Sequence, residues 1–248
     1  KVFTIVKAVF VTFVINNYIL IEYLSYLNYK THSIKGRYLP LTDLKPITDC
    51  WDSFFVKDLN GESVNGTPIP VYRFGSGKKK ILMWSQMHGN ESTTTKGLVD
   101  FINFLNTSSE ASSHILQQCT LIVIPILNPD GAFAYTRFNE NQVDLNRDFQ
   151  DFSQPESVLL KTVFDYISPD FCFNLHDQRT IFSVGSPARP ATMSFLAPSA
   201  DKNCSLTPSR EVAMKLIAVM NDTLKQMIPN QIGRFDDAFN NQCVGDYF

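Results

Sequence analysis

KILMWSQMHGNESTTTKGLVDFINFL, residues Lys80 to Leu105, is the stretch on which the fold turns. Its first part, Lys80–Gln86, is almost unbroken apolar sequence, the pattern of a strand covered on both faces. From Ser92 to Leu105 the apolar positions Leu98, Ile102 and Leu105 recur at helical spacing, so a helix follows. Between them lies a short polar loop, His88-Gly89-Asn90-Glu91. A buried strand, a chemically equipped loop and a helix make the opening of a strand–helix–strand unit.

The rest of the chain repeats this alternation. Pro70–Phe74 reads as a strand, and Cys119–Ile124 as a second buried one, ended by Pro125 and followed by an Asn128-Pro129-Asp130-Gly131 turn. Pro155–Ile167 reads as a helix, Phe171–Leu175 as a short strand and Arg210–Met227 as a long amphipathic helix. Tyr29–Trp51 is polar, punctuated by prolines and expected to be irregular. Strands alternating with helices predict an α/β fold, a mostly parallel mixed sheet with helices on both faces. Ligands of such sheets sit beyond the carboxyl ends of the strands.

Length and composition bound the possibilities. A chain of 248 residues with 44% hydrophobic and 19% charged residues suits one soluble domain, residues 31–248, without repeats. The net charge of −2 argues against a nucleic-acid partner, since no broad basic face is available. Lys78-Lys79-Lys80 is the one basic run and reads as the solvated start of a strand. Cys50, Cys119, Cys172, Cys204 and Cys243 are scattered without a C-x-x-C pair. They favour a reducing compartment over a disulfide framework, with Cys119 and Cys172 as core residues. Residues 1–30 form an apolar segment interrupted by Lys7, Asn16, Asn17 and Glu22. It has the start of a signal peptide without a cleavage site, and polar residues near the middle of any membrane span. The cytoplasm is the expected location, with export or anchoring through residues 1–27 left open.

Of the histidines His32, His88, His114 and His176, only His88 and His176 follow predicted buried strands. Glu91 stands three residues after His88. Two histidines and a glutamate make a zinc set that leaves a fourth position for water. Glu91 could equally be an acid complementing the helix N-terminus. His32 and His114 lie in polar segments and are expected to face solvent.

A second cluster narrows the choice. The Asn128-Pro129-Asp130-Gly131 turn is followed by Arg137 and then by Val143-Asp144-Leu145-Asn146-Arg147-Asp148-Phe149. His-x-x-Glu after a strand, Asn-Pro-Asp-Gly, Asp-x-Asn-Arg and a later lone His, in this order, resemble the carboxypeptidase A-like zinc metallocarboxypeptidases. The resemblance runs from about Tyr38 through Phe248. It implies that His88, Glu91 and His176 hold Zn2+, while Asp144 orients His88 through its far nitrogen. It implies that Asn146 and Arg147 bind the C-terminal carboxylate of a peptide or protein substrate, and that Arg137 stabilises an oxyanion. An Arg fork matches a carboxylate in bidentate geometry, which suits action at chain ends. Outside the resemblance, Arg147 could be a surface ion pair with a neighbouring acid and His176 a satisfied strand-end histidine. Asp177 departs from the pattern, which has a small hydroxyl residue there.

The resemblance also implies a glutamate general base on a strand well after His176. After His176 the sequence holds only Glu211, inside the predicted Arg210–Met227 helix, so the base is expected beyond Phe248. The expected function is a monomeric zinc metallocarboxypeptidase. The alternatives are an aspartoacylase-like deacylase, which shares His-Gly-Asn-Glu and Asp-Leu-Asn-Arg, and a non-catalytic metal- or carboxylate-binding module.

Overall fold

The computed structural model describes residues 2–7, 26–54, 56, 59–179, 181–235 and 239–247. In chain order the elements are β1 (Val2–Lys7), α1 (Leu41–Thr48), β2 (Gly61–Glu62), β3 (Pro68–Ile69), β4 (Tyr72–Phe74), β5 (Lys79–Ser85), α2 (Thr93–Leu105), α3 (Glu110–Gln118), β6 (Cys119–Ile124) and α4 (Pro129–Ala134). There follow α5 (Pro155–Ile167), β7 (Phe171–His176), β8 (Ser183–Val184), β9 (Arg189–Pro190), β10 (Met193–Leu196), α6 (Pro208–Leu224), β11 (Ile232–Arg234) and α7 (Val244–Tyr247). Short 3₁₀ turns occupy Asp49–Phe54 and Leu145–Arg147.

One sheet organises the domain, in the order β11-β10-β1-β7-β5-β6-β4. The pairs β1/β7, β7/β5, β5/β6 and β10/β11 are parallel, whereas β1/β10 and β6/β4 are antiparallel. The sheet is therefore mixed and mostly parallel, as the alternation of elements predicts. Side chains of β5 alternate between two cores, as strand geometry requires. Ile81 and Met83 face Leu98 and Ile102 of α2 and Met220 and Leu224 of α6. Leu82 and Trp84 face Leu160 and Val163 of α5. Burial of each such side chain contributes about 1.5–3 kcal/mol, which is why the continuous apolar runs become the central strands.

The structure departs from the sequence reading in several places. Tyr29–Trp51 is irregular only up to Pro40: Leu41–Thr48 is helical despite Pro46, because Leu44 and Thr48 turn into the core. Helix α3 lies in a stretch too polar to announce itself. It is capped by Ser109, whose hydroxyl accepts from Ser112 N at 3.2 Å, and it buries only Ser112 and Ile115. The Asn128–Gly131 turn is the first turn of α4, with Asn128 Oδ1 accepting from Gly131 N at 2.8 Å. Helix α6 starts at Pro208, after the Thr207 cap, and ends at Leu224. Val2–Lys7, set apart in the sequence reading with the rest of 1–30, pairs between β7 and β10; residues 8–25 lie outside the described ones. Among the described residues no helix is long and apolar enough to cross a membrane. Cys119 and Cys172 are buried, and Lys78-Lys79-Lys80 is exposed at the start of β5, both as expected.

Candidate metal centre

Strands β5 and β7 are parallel neighbours, with Ser85 opposite Leu175. His176 ends β7 and His88 lies just past the end of β5, so register alone brings the two imidazoles to one edge of the sheet. Their ring centroids are 4.7 Å apart. The loop carrying His88 is folded tightly. Gln86 takes a left-handed φ of 45°, and its side-chain amide donates to the carbonyls of Leu39 at 3.1 Å and Gly89 at 2.9 Å. Gly89 passes against the start of α4, where a Cβ would stand 1.9 Å from the Gly131 carbonyl carbon. Glu91 N closes a turn on the His88 carbonyl at 3.0 Å, which places the Glu91 carboxylate beside both rings.

Nδ1 of His88 lies 3.1 Å from one Glu91 oxygen, and Nδ1 of His176 lies 2.8 Å from the other. One donor atom from each of the three residues falls within 4.8 Å of the others. Tetrahedral zinc with bonds near 2.0–2.2 Å wants donors roughly 3.3 Å apart, so this set fits the ion with small adjustments. Both histidines are buried and Glu91 nearly so, as a water-poor metal site requires.

Charges in the cluster are mutually adapted. Burial opposes the charged form of His88, yet hydrogen bonds to Asp144 and Glu91 and the Glu91 charge outweigh it and raise its pKa. Burial likewise opposes ionisation of Glu91, but His176 and then His88 hold its carboxyl far below the usual carboxylate range. Asp144 is also held well below that range: burial is overcome by His88 and Arg137.

Asp144 Oδ1 meets Nε2 of His88 at 3.0 Å, the nitrogen opposite the one facing Glu91. The same oxygen accepts from Asn146 N at 2.9 Å, which begins the 3₁₀ turn carrying Asn146 and Arg147. Leu145 anchors that turn in the core. The other carboxylate oxygen of Asp144 binds the Arg137 guanidinium, from Nε at 3.0 Å and Nη2 at 2.9 Å. Nη1 of Arg137 then reaches 3.2 Å from Nδ1 of His88 and 3.6 Å from Glu91. Arg137 thus abuts the donor atoms themselves. Asn146 is buried and takes a hydrogen bond from Cys243 Sγ at 3.4 Å. Arg147 is half-buried and donates to the Asn146 carbonyl at 2.8 Å. Asp148 is committed elsewhere, accepting from Ser153 N and Gln154 N, each at 3.0 Å, at the start of α5.

Other candidates fall away from the cluster. His32 and His114 are exposed, as expected. Glu211 pairs with Lys215 at 2.7 Å on the outside of α6. The sequence reading missed the role of Asp177, whose carboxylate accepts from Thr93 N at 2.8 Å, Thr93 Oγ1 at 2.9 Å and Thr94 N at 3.3 Å. No local signal announces that contact, because its partners are 84 and 83 residues away.

Residues 52–165 match the family model described as zinc carboxypeptidase. The match spans His88, Glu91, Asp144, Asn146 and Arg147 and stops before His176. Carboxypeptidase 2 of Trichophyton rubrum is 26% identical over 147 residues, covering 56% of this chain and 27% of that protein. Carboxypeptidase E of Caenorhabditis elegans is 29% identical over 152 residues, covering 50% and 32%. A metallo-carboxypeptidase from Pseudomonas aeruginosa shares the fold with a TM-score of 0.61 at 17% identity, over 83% of this chain and 55% of that one. Carboxypeptidase A from Helicoverpa armigera does so with a TM-score of 0.58 at 18% identity, over 88% and 63%. The chain is similar to zinc carboxypeptidases over these stretches and shares the fold of the solved ones. It spans about a third or less of the length of these two curated relatives.

Proposed function

We propose that this chain carries the metal site and the substrate-carboxylate site of a zinc-dependent metallocarboxypeptidase acting on peptide C-termini. The observation that carries this reading is the convergence of His88 Nδ1, Glu91 and His176 Nδ1, with Asp144 behind His88 and Asn146-Arg147 on the same turn.

In this reading His88, Glu91 and His176 hold zinc, which when bound activates water and polarises the scissile carbonyl. Asp144 accepts the Nε2 proton of His88 and so keeps the Nδ1 lone pair available for the metal. Arg147, with Asn146 beside it, takes the free carboxylate of the substrate through its guanidinium fork. That selects chain ends, since an internal peptide bond offers no anion to the fork. Arg137, already against the donor atoms, supplies positive charge where negative charge develops on the carbonyl oxygen. Glu211, exposed and paired with Lys215, does not serve as the base. The deacylase reading has less support, because the family match and the relatives described above are all carboxypeptidases.

The test is bound zinc, measured by mass spectrometry on the purified chain beside His88→Ala and His176→Ala. About one zinc per chain, lost in both variants, is expected from a site closed by three protein ligands. Zinc retained in both variants of a folded chain overturns the assignment.

A further inference from the structure

Helix α2 begins one residue after Ser92, two after Glu91, and its first N–H groups need acceptors. Its own cap position does not supply them: the Ser92 side chain makes no cap hydrogen bond and its hydroxyl donates to the Arg37 carbonyl. The acceptor comes from the residue just past β7 instead. Asp177 Oδ1 takes Thr93 N at 2.8 Å and Thr94 N at 3.3 Å, while Oδ2 takes the Thr93 hydroxyl at 2.9 Å. The tie runs in both directions, because Asp177 N donates to Glu91 Oε2 at 3.3 Å. Residue 177 directly follows His176, and Thr93 lies two past Glu91. One side chain thus fastens the segment holding one candidate ligand to the segment holding another.

We propose that Asp177 is a positioning residue, a clamp between the end of β7 and the start of α2 that holds Glu91 and His176 at metal-binding separation. The inference rests on the metal site proposed above. Its side-chain bonds use none of the donor atoms of His88, Glu91 or His176. The clamp therefore persists when a metal replaces the Glu91–His176 hydrogen bond. A small hydroxyl residue at this position would offer one oxygen where the carboxylate offers two. The carboxylate also complements the positive end of α2.

The experiment is the zinc dissociation constant of the chain, from competition with a chromophoric chelator, together with the visible spectrum of the cobalt(II)-substituted form. Asp177→Ala is expected to weaken zinc binding about 10- to 100-fold, the usual effect of losing an orienting partner of a ligand, and to alter the cobalt spectrum. Asp177→Asn, which keeps an acceptor for Thr93 N and can donate to the Thr93 hydroxyl, is expected to stay within about threefold of the parent. Thr93→Val, which removes only the hydroxyl contact, should weaken binding a few-fold and carries the test if Asp177→Ala does not fold. A cap of purely structural value would lower the melting temperature of the metal-free chain and leave the zinc affinity of folded protein untouched. Unchanged zinc affinity and cobalt spectrum in folded Asp177→Ala, or in Thr93→Val where the alanine variant is unfolded, overturn the clamp. In that case the parent still binds zinc and loses it with His88→Ala; a parent that binds no zinc overturns the clamp and the metal site together.

Discussion

Gly89 and Gly131 lie backbone against backbone: a Cβ on Gly89 would stand 1.9 Å from the Gly131 carbonyl carbon and 2.2 Å from Ala132 N. A Cβ on Gly131 would in turn meet the Asn128 side-chain amide and the Phe138 carbonyl, each at 2.5 Å. The loop carrying His88 and Glu91 is thus seated on the Asn128–Gly131 segment with no room for a side chain at either glycine. Two motifs that look independent in sequence are one packing unit.

Gly89→Ala is therefore expected to be costly even though alanine is small. Backbone must move to admit the methyl group, a cost of about 3 kcal/mol or more given typical overpacking penalties. Urea unfolding of the metal-free chain measures it. A variant as stable as its parent would show that the close approach is not real.

Asp144→Asn should keep the shape of the site while removing the charge that fixes the His88 tautomer and pairs with Arg137. A loss of about 10- to 100-fold in zinc affinity is expected. In a double-mutant cycle with Arg137→Met, the two effects should fall short of additivity, because each change alone already breaks the shared ion pair. Strict additivity would argue that the 2.9 Å Arg137–Asp144 contact carries no coupling.

Acidity should act on the metal-free and metal-bound chains in opposite ways. The His88 pKa is raised, so its protonated form stabilises the metal-free fold below its ordinary value of 6.5, and this contribution is lost as pH rises through the higher folded value. Glu91 and Asp144 are depressed, so their contributions are present above 4.5 and 3.8 respectively and disappear as pH falls through the lower folded values. The metal-free chain should lose stability as pH rises above 6.5, where deprotonation of His88 proceeds. Zinc needs the His88 Nδ1 free of a proton, so zinc affinity should climb through the same window, by up to about tenfold per pH unit for one displaced proton. Melting curves at several pH values, with and without zinc, test both signs. A metal-free chain that gains stability as pH rises above 6.5 would refute the assignment of the His88 proton.

Arg147→Met should weaken binding of a peptide with a free C-terminus and barely affect the same peptide as its C-terminal amide. Loss of hydrogen bonds to a charged partner costs about 1.5–3 kcal/mol, or roughly 10- to 150-fold in affinity. Calorimetric titration of the acid and the amide against both proteins gives the comparison. Equal loss for acid and amide would remove Arg147 from carboxylate recognition.

Much of the domain is legible in the sequence because its signals are local. The unbroken apolar runs Lys80–Gln86 and Cys119–Ile124 could be satisfied only as strands covered on both faces, and the structure forms them as β5 and β6 within one residue at each end. His-x-x-Glu marks its own turn, and Asp144-Leu145-Asn146-Arg147 marks its own by placing Leu145 in the core between polar neighbours. Helix α3 and helix α1 escaped the reading for the opposite reason. Each buries few residues, so neither carries a strong apolar period, and Pro46 disguises the second.

Residue types and short spacings settled by themselves that this chain has buried parallel strands ending in a His-x-x-Glu loop, a later strand-end histidine and an Asp-x-Asn-Arg turn. Local periodicity and turn chemistry act over a few residues and need no partner. Tertiary structure alone decided which imidazole nitrogens face Glu91, that Arg137 leans on the donor atoms and that Asp177 binds the start of α2. It alone decided that Val2–Lys7 enters the sheet between β7 and β10. Those relationships join segments dozens of residues apart, and only the register of neighbouring strands brings them within hydrogen-bond reach.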